Sequence, residues 1–376
     1  MRVAIIGAGF SGLIFSKYLL KSNIDVDLFE EHKFVGMPEH CTGIVSSLTE
    51  RLIGDEAEKN RLSQYNGLNI SGTKEKVYLS TRDPVIKLNR KKLEEDLLYS
   101  FIKNGGRDYL STKVDEISDL SRNRYDAIII ADGVNGFLHK MVGLGFKGRI
   151  VYGINQEFCI RSLEDHFTVK FDRVTSNNFF SWYVPLKDKV ILGTGVENQR
   201  ELMSTQYRLK KLYNIDKKEY KTYGGLIISG VNKSLIRKNN IFVIGDAAGM
   251  NKPLTGGGLY PNALSAYLTY VLIKKGFNLL ESLESSIKFT LALLFKSNHL
   301  SIALQRNPEI VDELIDIIKK SGLINDINRN IDYDFHFDII YKSIRSRNSH
   351  KFLYNFFKKD PIKFFKLSKS LIKDIT

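Results

Sequence analysis

Apolar residues in this chain fall into unbroken runs, runs at helical spacing and alternating stretches. Arg2 to Ile6 reads as a buried strand, Leu13 to Leu20 as part of the helix after it, and Val26 to Phe29 as a second strand. Tyr125 to Ile130 and Asn240 to Ile244 are further unbroken runs, the pattern of parallel strands covered on both faces. Leu93, Leu97, Leu98, Phe101 and Ile102 recur at helical spacing, which predicts a helix opening near Asn89-Arg90 and running to about Lys103. Short strands are expected within 71–89 and at 151–160, 166–173, 179–184 and 190–194, an antiparallel set inserted between pieces of parallel sheet. From about residue 280 the pattern is helical.

Three loops follow the buried runs. Gly7-Ala8-Gly9-Phe10-Ser11-Gly12 stands between strand and helix, and the next strand ends on Glu30 and Glu31. That order supplies a tight turn, a close backbone approach to a pyrophosphate, a helix N-terminus and a carboxylate for a ribose. Glu30, directly at the strand end, is the better ribose ligand of the two acids. Asp132-Gly133 ends the second run, where ligands approach a parallel sheet. Gly245-Asp246-Ala247-Ala248-Gly249 ends the third, followed by Pro253-Leu254-Thr255-Gly256-Gly257-Gly258 and an apolar helix. Asp246 is placed to bind a ribityl hydroxyl, and the glycine triplet to admit a flat ring. The helix behind the triplet favours negative charge on a reduced flavin. The distance along the chain between first and third loops points to an extended cofactor, FAD, rather than NAD alone.

The expected fold is α/β: a Rossmann-like FAD-binding domain with an inserted antiparallel-sheet substrate domain and a helical C-terminal region. Residues 1–70, 91–150 and 236–280 are read as FAD-binding segments. Residues 71–90 are a strand insertion associated with the substrate domain, 151–235 form that domain, and 281–376 form the helical region. At 376 residues the chain accommodates two or three packed domains. The first strand begins almost at Met1, so no signal peptide is expected, and no run of 18 uncharged apolar residues predicts a membrane span. Two cysteines, Cys41 and Cys159, build neither a disulfide framework nor a zinc site, and a reducing cytoplasmic setting fits them best. Cys159 is expected in a strand and in the core. A net charge of +14 points to an anionic partner without naming it.

With the three loops in place, Gly36-Met37-Pro38-Glu39-His40-Cys41-Thr42-Gly43-Ile44-Val45-Ser46 becomes the discriminating stretch. It resembles the Cys-x-x-Gly segment of the geranylgeranyl reductase family (digeranylgeranylglycerophospholipid reductase-like), a branch of the para-hydroxybenzoate hydroxylase-like FAD-dependent oxidoreductases. The resemblance covers roughly residues 1–275. It implies that Cys41 and Gly43 lie beside the flavin and the reducible double bond, that Arg90 contacts FAD, and that the backbone at Val114 contacts adenine. Phe180-Ser181-Trp182-Tyr183-Val184-Pro185 is similar to the family's Tyr-x-Trp-x-Phe-Pro stretch along the substrate cavity. Phe180 and Val184 depart from that pattern, and Gly136 stands where the wider superfamily often has serine. The chain is also somewhat short at its C-terminus for members that act on full-sized membrane lipids.

The family reduces isolated carbon–carbon double bonds of isoprenoid chains, a reaction that needs a proton as well as a hydride equivalent. Cys41 is the candidate catalytic residue, as a proton donor or as a group that orients the alkene; the alternative is a small apolar filler. His40 beside it either tunes its acidity or faces solvent. Phe180, Trp182 and Val184 share one face of their strand and Phe179 and Tyr183 the other, lining either a tunnel or a core. Residues 341–376 carry ten Lys or Arg among phenylalanines. That composition suits either an anionic membrane surface on the cytoplasmic side or packing on the protein body. No nucleic-acid-binding module accompanies the charge, and no nucleic-acid partner is expected. No second nucleotide domain and no iron–sulfur ligand cluster is present, so an external electron donor, reduced ferredoxin or a nicotinamide cofactor, is expected. The competing functions are an FAD- and NADPH-dependent aromatic monooxygenase and a flavin-containing isoprenoid-binding protein without turnover.

Overall fold

The computed structural model describes the chain except residues 124, 163, 232–234, 329, 336–347 and 376. Residues 341–347 of the basic C-terminal stretch therefore lie outside the described residues. The unbroken apolar runs form a six-stranded sheet. Its parallel strands are β1 (Arg2–Ile6), β2 (Asp25–Phe29), β6 (Arg107–Tyr109), β7 (Ala127–Ile130) and β14 (Ile241–Val243). The two-residue β13 (Arg237–Lys238) pairs antiparallel at the edge, giving the order β13-β14-β7-β1-β2-β6. Ile6, Ile130 and Val243 stand in register, so the three glycine-bearing loops leave the sheet side by side. Helices Phe10–Lys21 and Leu259–Lys274 pack against each other over this sheet.

The alternating stretches form an eight-stranded sheet. In order across it lie β12 (Lys221–Ser229), β8 (Arg149–Phe158), β11 (Val190–Val196), β10 (Ser181–Pro185), β9 (Phe167–Lys170), β4 (Arg61–Ser71), β5 (Lys76–Leu88) and β3 (Ile44–Ser46). All neighbours are antiparallel except β4 and β9. This sheet takes in Ile44–Ser46 and β4, which the sequence reading assigns, all but Ser71, to the first FAD-binding segment. Strand β4 mixes exposed Arg61, Leu62 and Gln64 with buried Tyr65, so its two-residue period is blurred before its pairing with β5 is known. Cys159 follows the last residue of β8 and is exposed, which corrects the expectation of a core position: the strand ends at buried Phe158, one residue earlier.

Among the described residues, helices Leu279–Phe295, Asn298–Arg306, Pro308–Ser321, Leu323–Ile327, Ser349–Lys359 and Pro361–Ile375 make up the C-terminal region. Among the described residues no helix is long and apolar enough to cross a membrane.

A fully buried charge sits in the parallel sheet itself. Asp27 of β2 is fully buried and binds the guanidinium groups of Arg2 and Arg107, each at 2.5 Å. It also accepts the Tyr125 hydroxyl at 2.6 Å. One carboxylate thereby ties β1, β2, β6 and the residue leading into β7. Removing one partner of a buried pair leaves the others uncompensated, at a cost of about 3–5 kcal/mol; both arginines are partly exposed, so the low end applies. D27A is expected to lose about 3 kcal/mol in urea unfolding, whereas D25A, at an exposed position of the same strand, shifts stability by less than about 0.5 kcal/mol.

Candidate active site

The turn after β1 shows why its glycines are needed. Gly7 has φ +104°, and a side chain on it or on Gly12 would collide with the carbonyl of Ala131 or Gly7. A Cβ on Gly9 would meet nothing within 4 Å. Gly7 and Gly12 thus serve the turn, while Gly9 opens the backbone to a ligand at the N-terminus of helix Phe10–Lys21, the anion-attracting end. Glu30 reaches back to this loop and accepts the Ala8 N–H at 2.7 Å and the His32 N–H at 3.0 Å. Glu31 is exposed, and Val114 is buried beyond the β6 edge.

A cavity of about 370 Å³ lies where these loops meet the eight-stranded sheet. Gly9, Phe10 and Ser11 line it from the first loop, Gly133 from the second, and Asp246, Asn251, Lys252 and Leu254 to Gly258 from the third. The Asp132 side chain points elsewhere. Its carboxylate holds the buried His139, taking the ring Nδ1 at 2.7 Å and the backbone N–H at 3.3 Å. A Cβ on Gly136 would run into that carboxylate, which accounts for glycine in place of serine there. Asn251 donates to Asp246 at 3.1 Å, and Asn262 binds the Gly258 carbonyl at 2.7 Å, knitting the third loop together.

Fit to FAD is testable on the polar atoms left over. Asn251 Oδ1, Thr255 Oγ1 and Arg90 Nε are buried without a protein partner, and their residues all line the cavity. Together with the open face of Gly9, they give a dinucleotide and its ring both a path and hydrogen-bonding groups. The residues present fit the group.

Cys41 is half-buried and lines the same cavity; its Sγ accepts the Gly43 N–H at 3.3 Å. Gly43 has φ +75°, and a Cβ there would stand 2.7 Å from Arg90 Cγ and 2.8 Å from the Leu88 carbonyl oxygen. The turn therefore lies flat on the start of helix Arg90–Lys103, which Asn89 caps by accepting the Lys92 N–H. Arg90 pairs with Glu94 and stands over the Phe10 ring at 5.4 Å. Burial opposes its charge, but the Cys41 sulfur and Glu94 outweigh burial and push its pKa up. Lys87, also buried, donates to the Leu88 carbonyl at 2.7 Å, and burial pulls its ammonium down to about 8. His40 is exposed and bonds through its ring to the Pro38 carbonyl at 2.9 Å.

The opposite wall is apolar. Phe180 and Trp182 face the cavity in one cluster with Phe167, Phe171 and Val184, whereas Tyr183 faces away and stacks on Tyr213. Phe179, expected on the other face with Tyr183, also lines the cavity and stacks on Phe180 at 4.2 Å; it precedes β10, outside the strand's alternation. Val184 and Pro185 are buried behind this wall and do not line the cavity. Trp182 lies over its cross-strand partner Gly193. Its indole N–H donates to Asn155 Oδ1 at 2.9 Å, and the Thr42 hydroxyl donates to the same oxygen at 2.9 Å. Asn155, 2% exposed, is a site residue that sequence reasoning missed. So are Lys252 and Ile331 to Tyr333, which also line the cavity.

A family model described as an NAD(P)-binding Rossmann-like domain matches residues 5–40. An uncharacterized protein of Methanocaldococcus jannaschii is 28% identical, over 92% of this chain and 95% of that protein. The digeranylgeranylglycerophospholipid reductase of the same organism is 23% identical, over 69% of this chain and 73% of that protein. Among solved structures, a geranylgeranyl bacteriochlorophyll reductase-like protein of Thermoplasma acidophilum superposes with a TM-score of 0.68 at 15% identity, over 92% of this chain and 96% of that one. PqsL of Pseudomonas aeruginosa, a probable FAD-dependent monooxygenase, superposes with a TM-score of 0.65 at 14% identity, over 84% and 99%. The chain therefore has the fold of the flavoprotein oxidoreductases and resembles, in sequence and in structure, the geranylgeranyl reductases.

Proposed function

We propose that this chain is an FAD-dependent oxidoreductase that reduces carbon–carbon double bonds of isoprenoid chains, with geranylgeranyl groups of archaeal-type glycerophospholipids or their precursors as substrate. The observation that carries this reading is the junction of Cys41 with an apolar wall: Thr42, next to the thiol, and Trp182, in the wall, share Asn155 Oδ1. The relatives named as digeranylgeranylglycerophospholipid reductases support the substrate class. FAD would be held by Gly7, Gly9, Phe10, Ser11 and Gly12 at the pyrophosphate, by Glu30 at the ribose with Glu31 beside it, and by the Val114 backbone at the adenine. Gly133 with the backbone of Asp132, Gly245-Asp246 and Gly256-Gly257-Gly258 would enclose the ribityl and ring portions, with Cys41, Gly43 and Arg90 on the substrate side. Reduced FAD supplies a hydride equivalent. The electrons come from an external donor, reduced ferredoxin or a nicotinamide cofactor.

Cys41 Sγ delivers the proton that completes saturation. Phe180 and Trp182 orient the chain and exclude water, with Val184 and Pro185 backing them. Denaturing the purified protein is expected to release intact FAD. Under anaerobic conditions C41S should bind FAD and accept electrons as the parent does, while single-turnover saturation of a geranylgeranyl lipid falls at least about tenfold. A parental rate in C41S removes the thiol from the mechanism. NADPH oxidation coupled to oxygen uptake on an aromatic substrate would establish the monooxygenase instead, and retained lipid of unchanged mass after flavin reduction a binding protein.

Trp182 gives a second test. W182F keeps the ring surface and removes the donor to Asn155, so it should leave flavin reduction by an artificial donor unchanged and slow lipid turnover about five- to tenfold, the equivalent of about 1–1.5 kcal/mol. Equal loss in both assays would assign Trp182 to folding alone.

The C-terminal helices extend the reading to a membrane surface. Tyr354, Phe357, Ile362 and Phe365 are exposed, beside exposed Lys351, Lys358, Lys366 and Lys369. Phe356 and Leu367 turn inward against Ile310 and Ile317 and hold both helices to the body. Such a face inserts aromatic rings at the headgroup boundary while lysines meet anionic lipid. The protein is expected to sediment with phosphatidylglycerol vesicles and not with phosphatidylcholine vesicles, and to be released at 0.5 M salt. F357S/F365S should lose the binding and keep turnover of a detergent-dispersed substrate.

A further inference from the structure

Lys252 precedes Pro253 in the loop that carries the glycine triplet, and its side chain crosses that triplet. A Cβ on Gly257 would stand 2.8 Å from Lys252 Cε. The ammonium forms an ion pair with Asp334, and the two side chains are only 4% and 1% exposed. It also stands 4.5 Å from the centre of the Tyr333 ring. The second Asp334 oxygen accepts the Ser46 N–H at 2.7 Å and the Thr49 hydroxyl at 2.5 Å. One carboxylate thus joins the glycine loop, the C-terminal segment and the helix that follows β3. Burial would raise the Asp334 pKa, but Lys252 and the donors from Ser46 and Thr49 hold it below the usual carboxylate range. Asp332 is also buried nearby, and burial and the Asp334 charge push it up.

A buried pair of this kind returns little net stability, because desolvation of both ions offsets their attraction. What it does achieve is placement. Lys252 and Tyr333 line the cavity that the glycine triplet shares, so the Lys252 ammonium stands at that wall with the Asp334 carboxylate behind it. Helix Leu259–Lys274 presents its positive end at the same place.

We propose that Lys252 is the cation that sets the reduction potential of the flavin, and that Asp334 sets how much of its charge the ring senses. The inference rests on FAD occupying this cavity. Reduction adds negative charge to the ring system, so an adjacent cation favours the reduced form and an adjacent anion disfavours it. D334N keeps the shape and the acceptor oxygen but uncovers the Lys252 charge. K252M removes the cation and leaves Asp334 as the local charge. The two changes must move the potential in opposite directions, whereas a loosened loop would move both the same way.

The experiment is an anaerobic dye-coupled redox titration of the FAD-loaded protein, with no substrate present. The expected result is a higher potential in D334N and a lower one in K252M, each by at least about 30 mV, a tenfold change in a two-electron equilibrium. K252R, which keeps the cation, should hold the parental value. If the unpaired Asp334 of K252M prevents folding, K252M/D334N carries the test and must lie below D334N. Potentials that stay unchanged, or that move in the same direction, overturn the inference while leaving the FAD reading intact. A parent protein that fails to bind FAD overturns the cofactor reading, and this inference with it.

Discussion

The site depends on a single buried oxygen, Asn155 Oδ1. It accepts one hydrogen bond from Thr42, next to the thiol, and one from Trp182, in the apolar wall. Strand β8 holds Asn155 in register with Gly193 of β11, which in turn faces Trp182 of β10. The carboxamide is therefore positioned by sheet pairing and not by its own flexibility. With both donors in place, neither the indole N–H nor the threonine hydroxyl is left unpaired in an apolar cavity, where each would cost about 1–3 kcal/mol. The Cys41 turn and the aromatic wall are thereby tied to one strand, Thr42 through one hydrogen bond and Trp182 through the other.

Charge is distributed with equal economy. The cavity wall contributed by Phe167, Phe171, Phe180 and Trp182 is apolar, while charged groups collect at the junction with the glycine-bearing loops. Arg90 and Lys87 lie behind the Cys41 turn, and Lys252 lies by the glycine triplet. Lys87 and Lys252 are buried and Arg90 largely so, and the three are not all handled alike. Arg90 is paired with Glu94 and Lys252 with Asp334, but Lys87 among the described residues donates to a carbonyl alone, and burial lowers its pKa. A low-dielectric wall on one side strengthens the effect of these charges on any group that reacts between them.

Much of this was legible in the sequence because it is local. The strand–glycine–helix order, the acid ending β2, the helix from Arg90 and the inward face of Phe180 and Trp182 each follow from a period or a short motif. What escaped detection is non-local. Asn155 and Asp334 are ordinary polar residues in sequence, and their partners lie 113 and 82 positions away. Asp132 shows the opposite failure: a carboxylate at the end of a parallel strand reads as a ligand, yet a histidine one short loop later captures it. Strand β4 was missed because the polar residues on its exposed face break the apolar alternation.

The fold itself does not choose between reduction and oxygenation, since the same architecture is shared with a probable FAD-dependent monooxygenase. The choice rests on what the eight-stranded sheet presents to the cofactor. An aromatic substrate that is to be hydroxylated is usually oriented by polar groups on its ring substituents, and these groups must come from the wall facing the flavin. Here that wall offers Phe180, Trp182 and Val169 beside two polar side chains, Thr81 and Asn155, and the Asn155 oxygen is already committed to Thr42 and Trp182. A flexible hydrocarbon needs no such anchors; it is held by shape and by exclusion from water. In the proposed reduction the thiol of Cys41 would be the protic group at the point where apolar wall and glycine loops meet.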